Sequence, residues 1–229
     1  MTCPEIVLLQ GDITCINVDA IVNAANERML GGGGVDGAIH RAAGPYLKTA
    51  CERVPEITPN VRCPTGEARI TPAYNLASKV VIHTVGPVYD HQTGNSSHRS
   101  LPSHPDPASA LASAYRNSLT LAAKYLHETV AFPAISCGVY GYPPGEAAKI
   151  GYGVVREQEW GSIKKVIFVL FEQDVMNAFQ DALDGKTVSA PAFSAPAFSA
   201  PTAPATPATV RLGSPSAFDD ILAELQGGD

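Results

Sequence analysis

Short apolar runs recur along the first 186 residues of this chain, each bounded by polar residues or by glycine. They occupy Ile6–Leu9, Ala20–Val22, Val80–His83, Val130–Phe132 and Val166–Phe171. Continuous apolar runs of this length are typical of strands that are buried on both faces of a sheet. The pattern therefore predicts a set of short, buried strands.

Helical spacing appears between these strands. Asp106 followed by Pro107 is typical of an N-cap and a first helical position. A single apolar helical face then follows, made by Leu111, Tyr115, Leu119, Ala122 and Leu126. Gly145–Glu157 and Asp174–Leu183 are further predicted helices, and another is expected to begin near Val35. Alternating strands and helices predict a three-layer α/β domain over residues 1–186, with its site in the loops at the strand ends.

The composition changes abruptly after Lys186. Ser189–Phe193 is repeated at once as Ser194–Phe198, and alanine, proline and threonine continue to about Thr209. Such a segment buries too little apolar surface to offset its ordering entropy, so residues 187–213 are predicted to form a disordered linker. In residues 214–229, an apolar stripe opposite several acids predicts a short acidic amphipathic helix. It either docks an unknown protein or is a frayed terminus without a partner.

Charge and cysteine usage narrow the class of protein. The formal net charge of −6 argues against a nucleic-acid surface, and the five scattered cysteines form neither a CxxC pair nor a readable disulfide framework. No secretory leader and no membrane-spanning run are apparent. We expect an intracellular monomer, cytoplasmic or else nuclear, that binds no nucleic acid or membrane directly. His91, His98 and His104 have no common metal-ligand spacing, so a surface loop is the favoured interpretation of that segment.

A run of four glycines, Gly31 to Gly34, is the strongest chemical signal in the chain. Glycine amides are unobstructed and can converge on an anion, and a helix beginning at Val35 would point its positive end at the same place. Asp36 and His40 lie four residues apart on that helix and therefore share a face. Asp36 is either a chemically active acid or a first-turn acid that complements the helix dipole, and His40 alone would be an ordinary packed histidine.

Polar or small residues also follow three of the strands. Asp12 follows the first strand, where it either binds an amino group or caps a turn. Asn23 and Asn26 leave the second strand and can both donate and accept. The loop Ser136–Gly141 offers further amides. Its Cys137 is a poor candidate for a nucleophile, because no neighbouring residue in the sequence indicates a general base or a lowered pKa of the Cys137 thiol.

In this order, GDIT, NAAN, GGGGVDGAIH and SCGVYGYP resemble the macrodomain family, specifically its MacroD-type ADP-ribosylhydrolase branch. The resemblance covers Glu5 to about Leu183 and includes Arg41–Pro45, Cys63–Gly66 and His83–Pro87. It implies a three-layer α/β/α macrodomain with a mixed central sheet, followed here by a disordered tail, and a cleft for ADP-ribose. The chain departs from the usual pattern at Cys137, where serine or threonine is commoner, and at Tyr140, where phenylalanine is frequent. The segment 90–105 is also longer than a minimal domain needs.

The resemblance implies a role for each site residue. The adenine would be met by Asp12, by the backbone of Ile13 and by Phe171. The diphosphate would lie between a first loop of Gly32, Gly33, Gly34 and Val35 and a second loop of Ser136, Cys137, Gly138, Val139 and Tyr140. The distal ribose would contact Tyr140 and be oriented by Asn23 and Asn26, with Asp36 beside its anomeric carbon and His40 supporting Asp36.

The activity implied is hydrolysis of esters on the distal ribose. A water held between Asp36 and the diphosphate would attack, without metal or other cofactor, to release mono-ADP-ribose from acidic side chains of proteins or acetate from O-acetyl-ADP-ribose. The expected partners are thus ADP-ribose, O-acetyl-ADP-ribose and mono-ADP-ribosylated proteins. The alternatives are a non-catalytic ADP-ribose reader and an ADP-ribose 1''-phosphate phosphatase.

Overall fold

The computed structural model describes residues 3–90 and 106–186, in which strands and helices alternate. The strands are β1 (Glu5–Gln10), β2 (Ala20–Ala24), β3 (Ala68–Pro72), β4 (Val80–Thr84), β5 (Thr129–Phe132) and β6 (Lys165–Leu170). The α-helices are α1 (Gly34–Ala43), α2 (Pro45–Arg53), α3 (Pro107–Lys124), α4 (Pro144–Arg156) and α5 (Gln173–Leu183), and a single 3₁₀ turn spans Ile13–Cys15. Within the described residues, no helix is long and apolar enough to cross a membrane.

The six strands form one mixed sheet in the order β1-β6-β5-β2-β4-β3. All neighbouring strands are parallel except β3, which runs antiparallel to β4 at the edge. Because β2 pairs with both β4 and β5, the loops that follow these central strands leave from the same edge of the sheet. That edge is where open α/β sheets bind ligands.

Alternate strand residues point into two separate apolar layers, as the pleat of a strand requires. On one face, Ile21 and Val81 pack beneath α1 and α2. On the other, Ile82 and Phe132 pack beneath α3, α4 and α5. The predicted three-layer α/β/α arrangement with a mixed sheet is therefore confirmed. The tail predictions for residues 187–213 and 214–229, and the three histidines predicted to lie in a surface loop, fall outside the described residues.

Four details differ from the sequence-based prediction. The edge strand β3 was not predicted, because its sequence carries Arg69 and Thr71 rather than an apolar run. Helix α2 was also missed; it follows α1 after a single residue, Gly44, whose φ of +83° suits glycine. Leu126 was wrongly placed on the apolar face of α3, since that helix ends at Lys124 and Leu126 is 78% exposed. Strand β1 lies at the sheet edge and is only half-buried, rather than buried on both faces.

The amino-terminal end of β2 is fixed by the carboxylate of Asp19. Its Oδ2 accepts hydrogen bonds from the backbone N–H of Glu128 and from the N–H and hydroxyl of Thr129, at 2.9–3.0 Å. Its Oδ1 lies 2.6 Å from Nζ of Lys79. Burial alone would raise the pKa of Asp19, but these hydrogen bonds outweigh it and hold the pKa well below its usual range. Asp19 thus ties β2 to the segments that begin β4 and β5.

Candidate functional site

The glycine run leads directly into the first turn of α1. Gly33 is the N-cap residue and provides no side-chain cap, so the first amides of α1 have no intrahelical partner. A Cβ at Gly33 or Gly34 would meet open space, and Gly34 has a φ of +58°. Gly32 faces inward, because a Cβ there would lie 3.0 Å from Asp36 Oδ2. The loop therefore presents unobstructed N–H groups directly beside a buried carboxylate, and the half-buried Val35 continues it into the helix.

Asp36 is buried in the first turn of α1, with 4% of its surface exposed. Its Oδ1 accepts a 2.7 Å hydrogen bond from Nδ2 of Asn23. Nε2 of His40 lies 3.5 Å from the same oxygen, whereas Oδ2 has no hydrogen-bond partner among the described residues. Burial raises the pKa of Asp36 despite the opposing hydrogen bond from Asn23 and the nearby His40. One carboxylate oxygen is thus held in place, while the other is buried beside the glycine loop without a hydrogen bond from the described residues.

His40 lies one turn further along α1, as the four-residue spacing predicts. Burial lowers the pKa of His40, although the charge of Asp36 opposes the shift. Its ring also contacts the loop, since a Cβ at Gly31 would lie 3.5 Å from His40 Cγ. His40 therefore packs under the loop as well as beside Asp36.

Asn26 is tied to the glycine loop in the structure. Its Nδ2 donates to the carbonyl oxygen of Gly31 at 3.1 Å, and its Oδ1 accepts from the backbone N–H of Arg28 at 3.1 Å. Nδ2 also lies 3.2 Å from the Cβ position of Gly32. Asn26 shapes the loop through these contacts, and its role toward a ribose stays a prediction.

His83 belongs to the site, although only its strand was predicted. Because β2 and β4 are parallel neighbours in which Asn23 pairs with His83, both side chains point to the α1 face. Nδ2 of Asn23 lies 3.1 Å from His83 Nδ1, and Oγ1 of Thr71 lies 2.9 Å from His83 Nε2. Burial lowers the pKa of His83 to about 3. The available signal was a histidine in an otherwise apolar run, and it needed the strand order to become meaningful.

One group of side chains in the described part of the chain could hold a metal ion: ligand atoms of His40, Cys51 and His83 lie within 4.8 Å of one another. Cys51 Sγ is 3.7 Å from His83 Nε2. Burial raises the pKa of Cys51 to about 12, so its thiol is protonated at neutral pH. A metal ion would have to displace that proton and the contact of His83 with Thr71, and the present geometry is that of a hydrogen-bonded cluster.

The second predicted loop follows β5. Ser136 is buried with a φ of +66°, and its side chain fills the space that a Cβ at Gly86 would need. Cys137 is also buried, which raises its pKa and disfavours a nucleophilic role. Gly138 and Val139 are exposed. This loop therefore has a buried base and an open tip.

Tyr140, at the end of this loop, is half-buried. Burial raises its pKa, and the charges of Glu27 and Asp36 add to the effect. Its backbone carbonyl accepts from the N–H of Tyr89 at 2.8 Å. Glu27 is held in turn by the N–H and hydroxyl of Thr65. Tyr140 therefore lies close enough to both acids for their charges to act on it.

The residues predicted to meet adenine lie together at one end of the sheet. The N–H of Gly11 donates to the carbonyl of Leu170 at 3.0 Å, which places Asp12 beside the residue that follows β6. That residue, Phe171, is 77% exposed. Asp12 Oδ1 accepts from the N–H and hydroxyl of Thr14 and so caps the 3₁₀ turn. The side chain of Ile13 is buried in the core, so only its backbone is available to a ligand.

A glycine-rich loop, a second loop of small residues and a buried acid lie at the carboxyl edge of a mixed sheet, where α/β proteins bind ligands. The family model described as Macro domain matches residues 22–151, and the chain belongs to this macro domain family.

Similar proteins agree with this assignment. A macro domain-containing protein of Vibrio parahaemolyticus is 52% identical over 176 residues, which cover 77% of this chain and 95% of the relative. A protein of Enterobacter cloacae named O-acetyl-ADP-ribose deacetylase is 47% identical, covering 79% of this chain and 94% of the relative. The solved structure of an Oceanobacillus iheyensis macrodomain with ADP superposes with a TM-score of 0.66 at 41% identity, covering 78% of this chain and 89% of that one.

Proposed function

We propose that this protein binds ADP-ribose and hydrolyses esters carried on its distal ribose. The single observation that carries the proposal is the buried carboxylate of Asp36, whose Oδ2 lies beside the glycine loop and has no hydrogen-bond partner in the part of the chain that the structure describes. A group that only complemented the helix dipole would be expected at the surface, where its charge costs little. The name of the Enterobacter relative supports the reaction class.

Binding rests on the two loops. The free amides at Gly33 and Gly34 and the positive end of α1 suit the diphosphate, and the exposed tip at Gly138 and Val139 supplies the opposite wall. The ADP in the Oceanobacillus structure supports a ligand of this shape. Phe171, exposed beside Asp12, offers a flat apolar surface for the adenine.

The hydrolysis requires an oriented water. Asp36 Oδ2 and an oxygen of the diphosphate would hold that water against the ester carbonyl carbon, and one of the two would take its proton. The hydroxide oxygen adds to the carbonyl carbon, and the bond between that carbon and the ribose oxygen then breaks. The ribose oxygen takes up the proton, which leaves ADP-ribose and a carboxylic acid that loses its remaining proton to solvent. Acetate would be released from O-acetyl-ADP-ribose, and a protein carboxylate from a mono-ADP-ribosylated acidic side chain.

Asp36→Ala tests this proposal. We expect turnover of O-acetyl-ADP-ribose and of a glutamate-modified protein to fall by about 10²–10⁴-fold, the usual contribution of a positioned acid or base. ADP-ribose affinity, measured by calorimetry, should change little, because the loop amides remain. The matched control is Asp174→Ala, which removes an exposed first-turn acid from α5 and should leave turnover unchanged. A wild-type protein that binds ADP-ribose but never turns over either ester would refute the enzyme and leave a reader.

A further inference from the structure

A continuous line of polar contacts runs from the edge strand β3 to the proposed acid. Thr71 Oγ1 lies 2.9 Å from His83 Nε2, and His83 Nδ1 lies 3.1 Å from Asn23 Nδ2. The same Asn23 nitrogen donates to Asp36 Oδ1 at 2.7 Å. All four side chains are buried, with 4% or less of each residue exposed. Polar groups buried this deeply interact with one another rather than with solvent.

The chemistry of these groups permits one arrangement of protons while Asp36 is ionised. The side-chain nitrogen of Asn23 only donates, so His83 Nδ1 must accept. Because the low pKa of His83 keeps its ring neutral, the remaining ring proton lies on Nε2 and points to Thr71 Oγ1. The sulfur of Cys51, 3.7 Å from Nε2, is a weaker acceptor for that proton. The donor nitrogen of Asn23 therefore sets this tautomer of His83, and the hydroxyl of Thr71 stabilises it by accepting the Nε2 proton, which valine at position 71 could not do.

The tautomer of His83 and the orientation of the Asn23 amide are therefore coupled. If the ring proton moved to Nδ1, it would donate to the amide oxygen of Asn23, and the amide would turn over. Its oxygen would then face Asp36 Oδ1, and two acceptors would oppose each other. The ionised carboxylate would lose its hydrogen bond and its fixed orientation.

We propose that Thr71 and His83 are positioning residues for the hydrolysis, holding the Asn23 amide so that Asp36 Oδ1 is bound and Oδ2 is presented to the attacking water. This inference rests on the proposed function and deepens it. His83 is fully buried, so it acts through Asn23 rather than by touching a substrate. Thr71 lies on a strand that carries none of the predicted ligand-binding residues.

Several other titratable groups near Asp36 also affect its electrostatic environment, in addition to the hydrogen bond from Asn23. They are His40 on α1, Cys51 on α2, His83 on β4 and Tyr140 after β5, with Lys48 acting on His40. Among the described residues, the hydroxyl of Thr71 is hydrogen-bonded to His83, and no hydrogen bond joins it to Asp36. A change at Thr71 therefore reaches Asp36 through His83 and Asn23.

The test uses Thr71→Val, which keeps the shape of threonine and removes its hydroxyl. We expect the pKa of Asp36, followed by carboxyl-carbon NMR, to rise because its hydrogen bond from Asn23 weakens. The acid limb of the kcat profile should move to higher pH, with kcat at pH 6 falling about fivefold, as loss of one hydrogen bond gives. The KM and the calorimetric affinity for ADP-ribose should stay within about twofold. Thr71→Ser, which restores a hydroxyl, should recover both the Asp36 pKa and kcat.

Ser118→Ala is the matched control, since it removes a hydroxyl that is fully buried in α3 and bonded to the carbonyl of Ala114. It should leave the pH profile unchanged. If it moves the profile as Thr71→Val does, or if Thr71→Ser fails to rescue, the effect is one of general packing and the inference is wrong.

The tautomer can also be measured directly in the wild-type protein, by long-range nitrogen–proton NMR of the histidine rings. A ring proton on His83 Nδ1, or an Asp36 pKa that is unchanged in Thr71→Val, would overturn the inference while leaving the proposed function intact. Absence of turnover in the wild type would instead refute the proposed function. Because both NMR measurements need no turnover, the two failures are distinguishable.

Discussion

Replacing the proposed acid by its neutral isostere should make the ligand-free protein more stable while abolishing turnover. Burial raises the pKa of Asp36, so the folded state holds this proton more tightly than the unfolded chain does. A carboxyl group with a raised pKa destabilises the fold above its folded-state pKa, and the penalty disappears as the pH falls below the unfolded value near 3.8. Asp36→Asn removes the charge but keeps an oxygen that can accept from Asn23.

The magnitude follows from the contacts of the two carboxylate oxygens. Oδ1 keeps its hydrogen bond in the variant, and an amide nitrogen takes the place of Oδ2, which has no partner among the described residues. The main gain is therefore removal of the buried negative charge, whose incomplete pairing costs about 1–3 kcal/mol. A gain of about 2 kcal/mol raises the Tm of a domain of this size by about 4–8 °C.

The assay is thermal unfolding of the wild type and of Asp36→Asn between pH 4 and 8, without ADP-ribose. The difference in Tm should be largest at pH 8 and shrink toward pH 4. Asp174→Asn is the control, because Asp174 occupies the first turn of α5 at the surface; it should lower stability by a few tenths of a kcal/mol at every pH above 5. If Asp36→Asn is less stable than the wild type at pH 7, or if the difference does not vary with pH, Asp36 is a stabilising first-turn acid and the reasoning is refuted.

Two further substitutions probe the loop and the sheet. Gly37→Ala would place a Cβ 2.5 Å from the carbonyl oxygen of Gly32, so the loop must shift, and we expect the ADP-ribose affinity measured by calorimetry to fall about tenfold. The control Gly153→Ala, with open space at its Cβ position, should bind ADP-ribose normally. Equal affinities of the two variants would contradict this account. Asp19→Ala should cost about 2–4 kcal/mol at pH 7 through lost charge-assisted hydrogen bonds. Because the pKa of Asp19 is lowered from 3.8, its contribution is present above that pH and is lost as the pH falls further. The gap in denaturant stability between wild type and Asp19→Ala should therefore narrow below pH 3.8, and a constant gap from pH 7 to pH 2 would disprove the assignment.

The order of motifs predicted most of the site because each motif is local. The glycine run needs no partner to expose its amides, and the spacing of Asp36 and His40 follows from helical geometry alone. The structure adds contacts to two of the predicted ligand-binding residues. Asn26 donates to the carbonyl of Gly31 and Asp12 caps the 3₁₀ turn, while their roles toward a ligand stay predictions.

The sequence by itself determined the alternation of buried strands and helices, the open glycine loop and the placement of Asp36 at the start of α1, since all of these depend on neighbours within a few residues. Only the tertiary structure decided how Asp36 is held. The strand order puts His83 beside Asn23, and the antiparallel edge strand brings Thr71 to His83. Pairing between distant segments depends on the register of the whole sheet, which no local pattern encodes. The buried polar cluster behind the acid therefore became visible only when the strands were assembled.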